Sequence, residues 1–369
     1  MGRIGKRRYR GKGLEILLIF LIGPWFLLQS ACVHVGIGQK KPEPETALAT
    51  VPETPEPEPA ISEKESVKPL IFRSEDYIVY VLQGGESFSF LAKEFLGDEK
   101  KAWVIEDANE GVAFERNQII VIPLKQDNRG GLSAKGYQVV PVMCYHSFAK
   151  TCKSSLCTPV SVFDEQMRYL KENGYRVISL KELLNFIQYR QAIPKRAVAI
   201  TIDDGYRSVY DIAYPILKGY GFTAALFIYT DFVGVGKAAI TWDQLREMKN
   251  DGFEVGSHTL SHCDLTKQKK EENDKAYMVR IKRELVVSKK IIDKKLSQDT
   301  IFLAFPYGSY NQRTLRICDQ AGYKIGFSVR GGGNPFFADP LTLKRDQVLK
   351  KDIDSFIARI KTFHESSLR

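Results

Sequence analysis

The chain has 369 residues, of which 44% are hydrophobic and 27% charged, and its formal net charge is +10. At ~150 residues per domain this length predicts two domains, and the composition excludes a wholly disordered chain, a collagen-like fibre and a polytopic membrane protein. Half of the net charge lies in the first 31 residues. Because the remainder shows no basic stripe with interleaved aromatic residues, we expect no nucleic-acid partner.

The basic start is followed by an apolar run from Ile16 to Leu28. A membrane-spanning helix needs ~20 apolar residues and a signal-peptide core ~7–15, so the run predicts an export signal over residues 1–31. Two small residues precede Cys32 and resemble a bacterial lipobox, in which Cys32 becomes the lipidated first residue. Gln29 departs from that pattern, and an uncleaved anchor or simple cleavage after Ala31 stay open. Every alternative exports the chain.

Residues 32–75 form a segment rich in proline and glutamate, with the sequence PEPETALATVPETPEPEPA at its centre. This composition buries too little apolar surface to offset the entropy of ordering, so we expect a disordered tether. A lipid on Cys32 would anchor the chain to a membrane that faces the periplasm or the cell surface. Val33 favours the outer membrane, by resemblance to lipoprotein sorting in some Gram-negative bacteria.

Residues 76–125 show the pattern of a small separate module. We expect the order strand, helix, helix, strand, with these bounds: Asp76–Leu82, Ser87–Phe95, Lys101–Ala108 and Gln118–Pro123. The stretch from Gly85 to Ala92 (GESFSFLA) resembles the G-D-T-L-x-x-I-A pattern of LysM modules. Asn109 follows the second helix as the asparagine of that family does. The resemblance implies binding of glycans that contain N-acetylglucosamine, and a spacer that has lost its ligand is the alternative.

The rest of the chain alternates short β-branched strands with helical stretches. The predicted strands are Gln138–Tyr145, Arg196–Ile202, Thr223–Tyr229, Phe253–Ser257, Ile301–Phe305 and Lys324–Val329. The predicted helices are Val162–Glu172, Leu180–Tyr189, Ser208–Gly219, Trp242–Asn250, Lys275–Lys295 and Asn311–Ala321, with capping boxes at Ser179 and Thr241. This alternation predicts one α/β domain, either a barrel or a doubly wound sheet, and periodicity does not separate the two.

The six cysteines include one pair that is suited to a disulfide. Cys152 and Cys157 lie in a polar loop, and an oxidising compartment permits them to bridge. Three others lie in apolar or motif surroundings, where we expect them to pack as small hydrophobic side chains: Cys144, Cys263 and Cys318.

Two groups of polar residues follow buried strands, where they are costly unless paired or used. Asp203 and Asp204 precede Gly205, where the chain can turn, so that one carboxylate can bind a metal while the other stays free as a base. His258 and His262 are four residues apart, a spacing that lets both imidazoles face one metal on a helical turn. Each motif alone is also compatible with a structural role, but together they favour a metal site.

A third motif, Pro306-Tyr307-Gly308, predicts a tight loop that can present backbone N–H groups to an anion. Taken alone it is also an ordinary connection from a strand to a helix capped by Asn311. In their order along the chain, the three motifs resemble the polysaccharide deacetylase family (carbohydrate esterase family 4). The resemblance implies a distorted (β/α) barrel of about seven strands for residues 136–369.

The resemblance also implies the roles of individual residues. Asp204, His258 and His262 would bind one divalent metal ion, with zinc as the first choice and cobalt or nickel as alternatives. Asp203 is then the general base that takes a proton from the attacking water.

The third motif would line the site. Pro306 and Tyr307 belong to this loop, and the backbone N–H of Tyr307 helps to hold the oxyanion. Tyr206, Tyr307 and Trp242 can stack on sugar faces, although Trp242 alternatively covers a helix.

Two positions depart from the family pattern. Ala304 stands where many members carry an arginine, and Arg345 stands where a Leu-x-His motif supplies the acid that protonates the leaving amine. Arginine cannot act as an acid near neutral pH, so the proton donor must come from elsewhere, and His146 is the best candidate. Alternatively, His146 is a packing histidine. This combination resembles the subgroup that includes the poly-N-acetylglucosamine deacetylases of biofilm systems.

We therefore expect an exported, lipid-anchored, monomeric and metal-dependent N-deacetylase that acts on N-acetylglucosamine polymers, either peptidoglycan or poly-N-acetylglucosamine. Two alternatives stay open. One is an esterase that removes O-acetyl groups from a polysaccharide. The other is a catalytically impaired envelope lipoprotein that only binds glycan, which the missing Leu-x-His favours.

Overall fold

A computed structural model of the chain describes residues 72–132, 136–362 and 365–367. The predicted export signal, Cys32 and nearly all of the predicted tether lie outside the described residues. Within the described residues, none of the helices combines the length and the apolar character that crossing a membrane requires.

The small module has two helices packed on one face of an antiparallel sheet with strand order β1-β2-β3. Its elements are β1 (Phe72–Arg73), β2 (Tyr77–Val81), α1 (Phe88–Leu96), α2 (Ala102–Ala108) and β3 (Ile119–Pro123). Ser87 caps α1 by accepting a hydrogen bond from the backbone N–H of Phe90. The predicted order of strand, helix, helix and strand is present, and β1 is an addition that the sequence pattern did not indicate.

Asn109 has a structural role in this module. Its side chain is buried, donates to the backbone carbonyls of Ile105 and Val121, and accepts the backbone N–H of Val121. The amide therefore takes the place of a neighbouring strand along the edge of β3, where the peptide group of Val121 would otherwise lack a protein partner. The fold alone thus accounts for an asparagine at this position.

The larger domain is built on a curled parallel sheet. Its strands are β4 (Gly136–Val140), β5 (Val142–Tyr145), β6 (Ser147–Ala149), β7 (Cys157–Pro159), β8 (Arg176–Val177), β9 (Ala197–Asp204), β10 (Ala225–Ile228), β11 (Glu254–Ser257), β12 (Phe302–Ala304), β13 (Ile325–Phe327), β14 (Asn334–Pro335), β15 (Asp346–Gln347) and β16 (Glu365–Ser367). Seven of them follow the parallel path β13-β12-β11-β10-β9-β5-β15, and β8 pairs beside the start of β9. This is the distorted barrel that the resemblance implied.

The predicted strand Gln138–Tyr145 is wrong as a single element. Pro141 divides it, because proline has no backbone N–H to donate to a sheet. The first half, β4, pairs antiparallel with β14 and β16, and only the second half, β5, joins the parallel sheet. The predicted parallel strand is therefore correct only for the second half of the segment, β5.

The segment Leu343–Gln347 joins the two edges of the curled sheet. Leu343 pairs with Phe327 in β13, and three residues later β15 pairs with β5. The two-residue strand is too short to give a periodic signal, so the sequence pattern missed it. The segment matters because it places Arg345 inside the barrel, where this side chain is completely buried.

Seven helices accompany these strands in the described part of the larger domain. They are α3 (Val160–Glu172), α4 (Leu180–Ile187), α5 (Tyr214–Tyr220), α6 (Trp242–Asn250), α7 (Asp274–Leu296), α8 (Gln312–Gln320) and α9 (Ile353–Thr362). The capping boxes predicted at Ser179 and Thr241 are confirmed. The predicted helix Ser208–Gly219 begins instead with a π-helical stretch, Val209–Ala213.

Cys152 and Cys157 form a disulfide that closes the loop between β6 and β7. Cys144 and Cys318 are buried free thiols, as predicted, whereas Cys263 is only partly buried.

The parallel register brings the carboxyl ends of four strands together. Asp204 at the end of β9 is level with Ile228, which is level with Ser257 at the end of β11, and Ser257 is level with Leu303 in β12. Because all these strands run in the same direction, the polar residues that follow them meet at one end of the barrel.

The first prediction concerns Glu254, at the opposite end of β11, where its carboxylate accepts the backbone N–H groups of Leu180 and Lys181. Burial raises the pKa of Glu254 from 4.5 to about 7. Between these two pH values, Glu254 stays protonated in the folded chain but ionises in the unfolded chain. The contribution of Glu254 to the free energy of unfolding therefore decreases as the pH rises from 4.5 to about 7.

Glu254→Gln should remove this dependence. Between about pH 5 and about pH 8, urea unfolding should show the wild type losing up to ~3 kcal/mol more stability than the variant. Equal losses in the two proteins would contradict the prediction.

Candidate active site

Asp203 and Asp204 are the last two residues of β9, and Nε2 of His258 lies 3.9 Å from Oδ2 of Asp203 and 3.6 Å from Oδ1 of Asp204. Asp204 adopts φ 75° and Gly205 φ 80°, which turns the chain sharply. A Cβ atom on Gly205 would lie 3.1 Å from the side chain of Ile228, so this position favours glycine for space as well as for conformation. After this turn, the carboxylate of Asp203 lies beside Arg345 in the barrel interior, and that of Asp204 lies beside the two histidines at the mouth.

His258 directly follows β11 and points into the mouth of the barrel. Its Nδ1 lies 2.8 Å from the carbonyl oxygen of Ala304, a contact that requires the proton on Nδ1. The lone pair of Nε2 is then free to face Asp204. His262 follows in a loop and not on the predicted helical turn, because Thr259 and His262 both adopt positive φ angles. The helical turn is therefore wrong, although the two imidazoles do face one point.

The distances among these three side chains fit a metal ion. Asp204 Oδ1 lies 3.6 Å from Nε2 of His258 and 3.3 Å from Nε2 of His262. Ligands at ~2.1 Å from a tetrahedral zinc ion are about 3.4 Å apart. Asp204 Oδ1 is also buried with no hydrogen-bond partner in the part of the chain that is described, which is costly unless a cation binds it. The three residues form a candidate metal-binding triad.

Burial lowers the pKa of His258, although the charges of Asp203 and Asp204 oppose this effect. A lower pKa favours the neutral imidazole at neutral pH. Only the neutral form has a lone pair for a metal, so burial favours the ligating state.

Asp203 points into the barrel and is paired with Arg345. The guanidinium donates to both carboxylate oxygens, with Nη1–Oδ1 at 2.6 Å and Nη2–Oδ2 at 2.7 Å. Burial alone raises the pKa of Asp203, but the charge of Arg345, aided by His258, outweighs it and holds the pKa well below its usual range. The carboxylate therefore remains ionised throughout the neutral pH range.

Arg345 fills the centre of the barrel beneath the site. Its guanidinium carbon lies 5.5 Å from the ring centres of both Phe227 and Phe327, and its remaining donors reach the Ser328 carbonyl and the Thr201 hydroxyl. Sequence analysis assigned no function to this residue. The one signal was its replacement of the expected histidine, since nothing in the local pattern marks an arginine as buried.

Asp203 also belongs to a second cluster, with Cys144 and His146. The ligand atoms of the three side chains lie within 4.8 Å of one another. Arg345 already neutralises Asp203, so a metal cation in this cluster would meet an unfavourable positive charge. The triad of Asp204, His258 and His262 is therefore the better metal site. His146 is not part of the triad but lies close to Asp203.

The predicted aromatic residues divide into two groups. Tyr307 is 64% exposed, adopts φ 58°, and its ring centre lies 4.9 Å from that of His262. Its backbone N–H makes no hydrogen bond within the described chain, while the adjacent Pro306 is buried and anchors the turn. Tyr206 lies next to Asp204 and packs edge-on against Phe232.

Trp242 does not join this group. It is the first residue of α6 and packs against the hydrophobic layer between the barrel and its helices. No ring contact links it to His262 or Tyr307 among the residues that the structure describes. The alternative given for Trp242 in the sequence analysis fits this placement.

Known proteins resemble the chain over this domain. A profile of the polysaccharide deacetylase family matches residues 190–326. The poly-beta-1,6-N-acetyl-D-glucosamine N-deacetylase of Staphylococcus aureus (strain MRSA252) is 32% identical over 215 residues, which are 56% of this chain and 72% of that protein. A deacetylase of Streptococcus pyogenes, solved in complex with acetate, aligns with a TM-score of 0.55 and 28% identity over 60% of this chain and 98% of that chain.

A further solved structure, IcaB from Ammonifex degensii, shares the fold with a TM-score of 0.54, at 24% identity over 62% of this chain and 98% of that chain. The chain belongs to the polysaccharide deacetylase family. It is accordingly an enzyme, and the resemblance noted from the three motifs is confirmed at the level of the family and its fold.

The second prediction concerns the buried ion pair. Arg345→Met should lower the free energy of unfolding by about 3–5 kcal/mol, because it leaves the carboxylate of Asp203 buried and unpaired. The double variant Arg345→Met/Asp203→Asn should regain part of this loss, since it removes the uncompensated charge. Denaturant unfolding of both, with the exposed Arg313→Met as a control, measures the effect. A double variant less stable than Arg345→Met would contradict it.

Proposed function

We propose that this enzyme hydrolyses N-acetyl groups from a polysaccharide that contains N-acetylglucosamine, and that the reaction depends on a divalent metal ion. The observation that carries this proposal is the convergence of Asp204, His258 and His262 on one point beside the ionised Asp203. An amide is a poor electrophile, so its hydrolysis requires an activated water, a stabilised oxyanion and a proton for the leaving amine.

The triad would hold the metal, with zinc as the first candidate and cobalt or nickel as alternatives. Such an ion supplies two effects when bound: it lowers the pKa of water and polarises the acetyl carbonyl. Two neutral imidazoles and one carboxylate leave the ion with a net positive charge, which both effects require.

Asp203 would act as the general base. Its ion pair with Arg345 keeps the carboxylate ionised and fixes its orientation, so that it can accept the proton of the attacking water. The N–H of Tyr307, unpaired within the described residues, would donate to the oxyanion. The Tyr307 ring, with Tyr206, would contact the sugar.

His146 would protonate the leaving amine. Arg345 stands where other members carry the acidic histidine, and here its donors are committed to Asp203. His146 is a second imidazole close to Asp203, since the ligand atoms of His146, Asp203 and Cys144 lie within 4.8 Å of one another. A histidine can carry the proton at neutral pH, and an arginine cannot release one.

Two features support an N-acetylglucosamine polymer as the substrate. The Staphylococcus aureus relative is named for poly-beta-1,6-N-acetyl-D-glucosamine, and residues 76–125 resemble a LysM module. We propose that this module binds the glycan and that residues 136–369 form the catalytic domain. Peptidoglycan and poly-N-acetylglucosamine both fit this chemistry.

We further propose that the chain is exported and acts as a monomer in the cell envelope. Residues 1–31 would serve as the signal peptide, lipidated Cys32 as the membrane anchor and residues 32–75 as the tether. These proposals rest on the sequence pattern alone. The outer membrane is the favoured location because Val33 follows the cysteine.

The third prediction tests the function. The protein without residues 1–32 should release acetate from at least one of the two polymers, and a chelator should abolish the release. Asp203→Asn should retain the metal but lose activity, whereas His258→Gln should lose both. Metal content and acetate release, measured on the same preparations, separate these cases. If the protein bound both polymers but released no acetate from either, the result would contradict the proposal and favour a protein that only binds glycan.

The fourth prediction addresses the proton donor. His146→Gln should reduce kcat about 10²–10⁴-fold and abolish the decline of the rate at alkaline pH, because that decline reports the loss of the donated proton. The pH–rate profile is the measurement, and Cys318→Ser, which changes a buried free thiol outside the site, is the matched control. An unchanged rate and an unchanged alkaline limb would remove His146 from the mechanism.

A further inference from the structure

The loop of residues 258–262, called the histidine loop below, carries two of the three candidate metal ligands on a strained backbone. Thr259 adopts φ 73° and His262 φ 60°, in the left-handed region. This conformation costs about 1–3 kcal/mol per residue, and a β-branched residue such as Thr259 is rare there. The surrounding structure must therefore hold the histidine loop in place.

Glu284 of α7 makes the contacts that provide this support. Its Oε2 accepts the backbone N–H groups of Leu260 at 3.1 Å and Ser261 at 2.9 Å, and its Oε1 accepts the Ser261 hydroxyl at 2.8 Å. Two successive N–H groups beside a left-handed residue form a concave site for an anion, and this carboxylate occupies it. Its side-chain hydrogen bonds thus all go to the histidine loop.

The burial of Glu284 requires an explanation beyond packing. The residue is only 6% exposed, and no ion pair joins it to a lysine, arginine or histidine anywhere in the described parts of the chain. A buried carboxylate is costly without compensation, and here the compensation comes from the amides of the histidine loop. Replacement by an apolar residue would satisfy packing but not these amides.

A second contact from α7 reaches the same loop. Ser288 lies one turn after Glu284, and its Oγ is 2.9 Å from Oγ of Ser257. The Ser257 hydroxyl in turn accepts the backbone N–H of Thr259 at 3.1 Å. α7 therefore holds both the start and the middle of the histidine loop.

We propose that Glu284 is a positioning residue for the metal site, and this inference rests on the proposed metal-dependent function. By fixing the amides of Leu260 and Ser261, Glu284 keeps Nε2 of His262 within 3.3 Å of Asp204 Oδ1 before any metal binds. The histidine loop is then already ordered in the folded protein, so metal binding does not have to supply the free energy of ordering it. The affinity for the metal is higher as a result.

Zinc titration of the metal-free full-length chain by calorimetry tests this inference. Glu284→Gln keeps the shape and loses the charge, and it should weaken zinc binding about 10–100-fold, the range found when partners of metal ligands are removed. Activity should return at saturating zinc, since no group that contacts substrate has changed. Glu172→Gln, an exposed glutamate on α3, is the matched control and should bind zinc as the wild type does.

Ser261→Ala removes one of the three hydrogen bonds to Glu284 and leaves the two backbone hydrogen bonds in place. The variant should therefore fold, and its zinc binding should be about threefold weaker. Unchanged zinc affinity in both variants, with a lower melting temperature alone, would overturn the positioning role while leaving the proposed function intact. A wild-type protein that binds no zinc, cobalt or nickel would overturn the metal site and this inference together.

Discussion

The ion pair between Arg345 and Asp203 is the interaction on which the rest of the site depends. It lies at the centre of the barrel, with both partners at most 2% exposed. A buried pair repays the desolvation of its charges only when the geometry is good, and here two parallel hydrogen bonds and two flanking aromatic rings provide it. Arg345 lies in Leu343–Gln347, the segment that joins the two edges of the sheet, and Asp203 lies in β9, the strand that carries both carboxylates. The same contact therefore closes the barrel and orders the site.

Backbone strain is concentrated around the same point. Four residues that are not glycine adopt positive φ at the mouth of the barrel, one or two from each motif: Asp204, Thr259, His262 and Tyr307. Each such residue is unfavourable, so the surrounding hydrogen bonds and packing must determine its conformation. The strain serves the chemistry because it accompanies the sharp turns that bring Asp204, His258 and His262 to one point. The stability of the barrel thus supports a site that is locally unfavourable.

The sequence was sufficient for the features that depend on local chemistry. Paired carboxylates and paired histidines after buried strands predicted a metal site, because parallel strands bring their carboxyl ends together. The family resemblance, and not the local pattern, assigned Asp204 to that site and Asp203 to the role of base. Local pattern could not predict contacts made across the barrel. Arg345 was read only as a missing histidine, since its burial depends on Leu343–Gln347 joining two distant strands. Glu284 was missed for the same reason, because its partners lie 23 and 24 residues away. The assumed helical turn at His258 failed because spacing does not reveal positive φ.

Anomalous diffraction from crystals of the chain grown with zinc tests the central claim most directly. The account predicts a zinc peak with Asp204 Oδ1 and the Nε2 atoms of His258 and His262 at about 2.0–2.2 Å. Arg345 should remain on both oxygens of Asp203 in the same crystals. A zinc ion held instead by Cys144, His146 and Asp203, with Arg345 displaced, would contradict the account, because Asp203 could not then serve as the base.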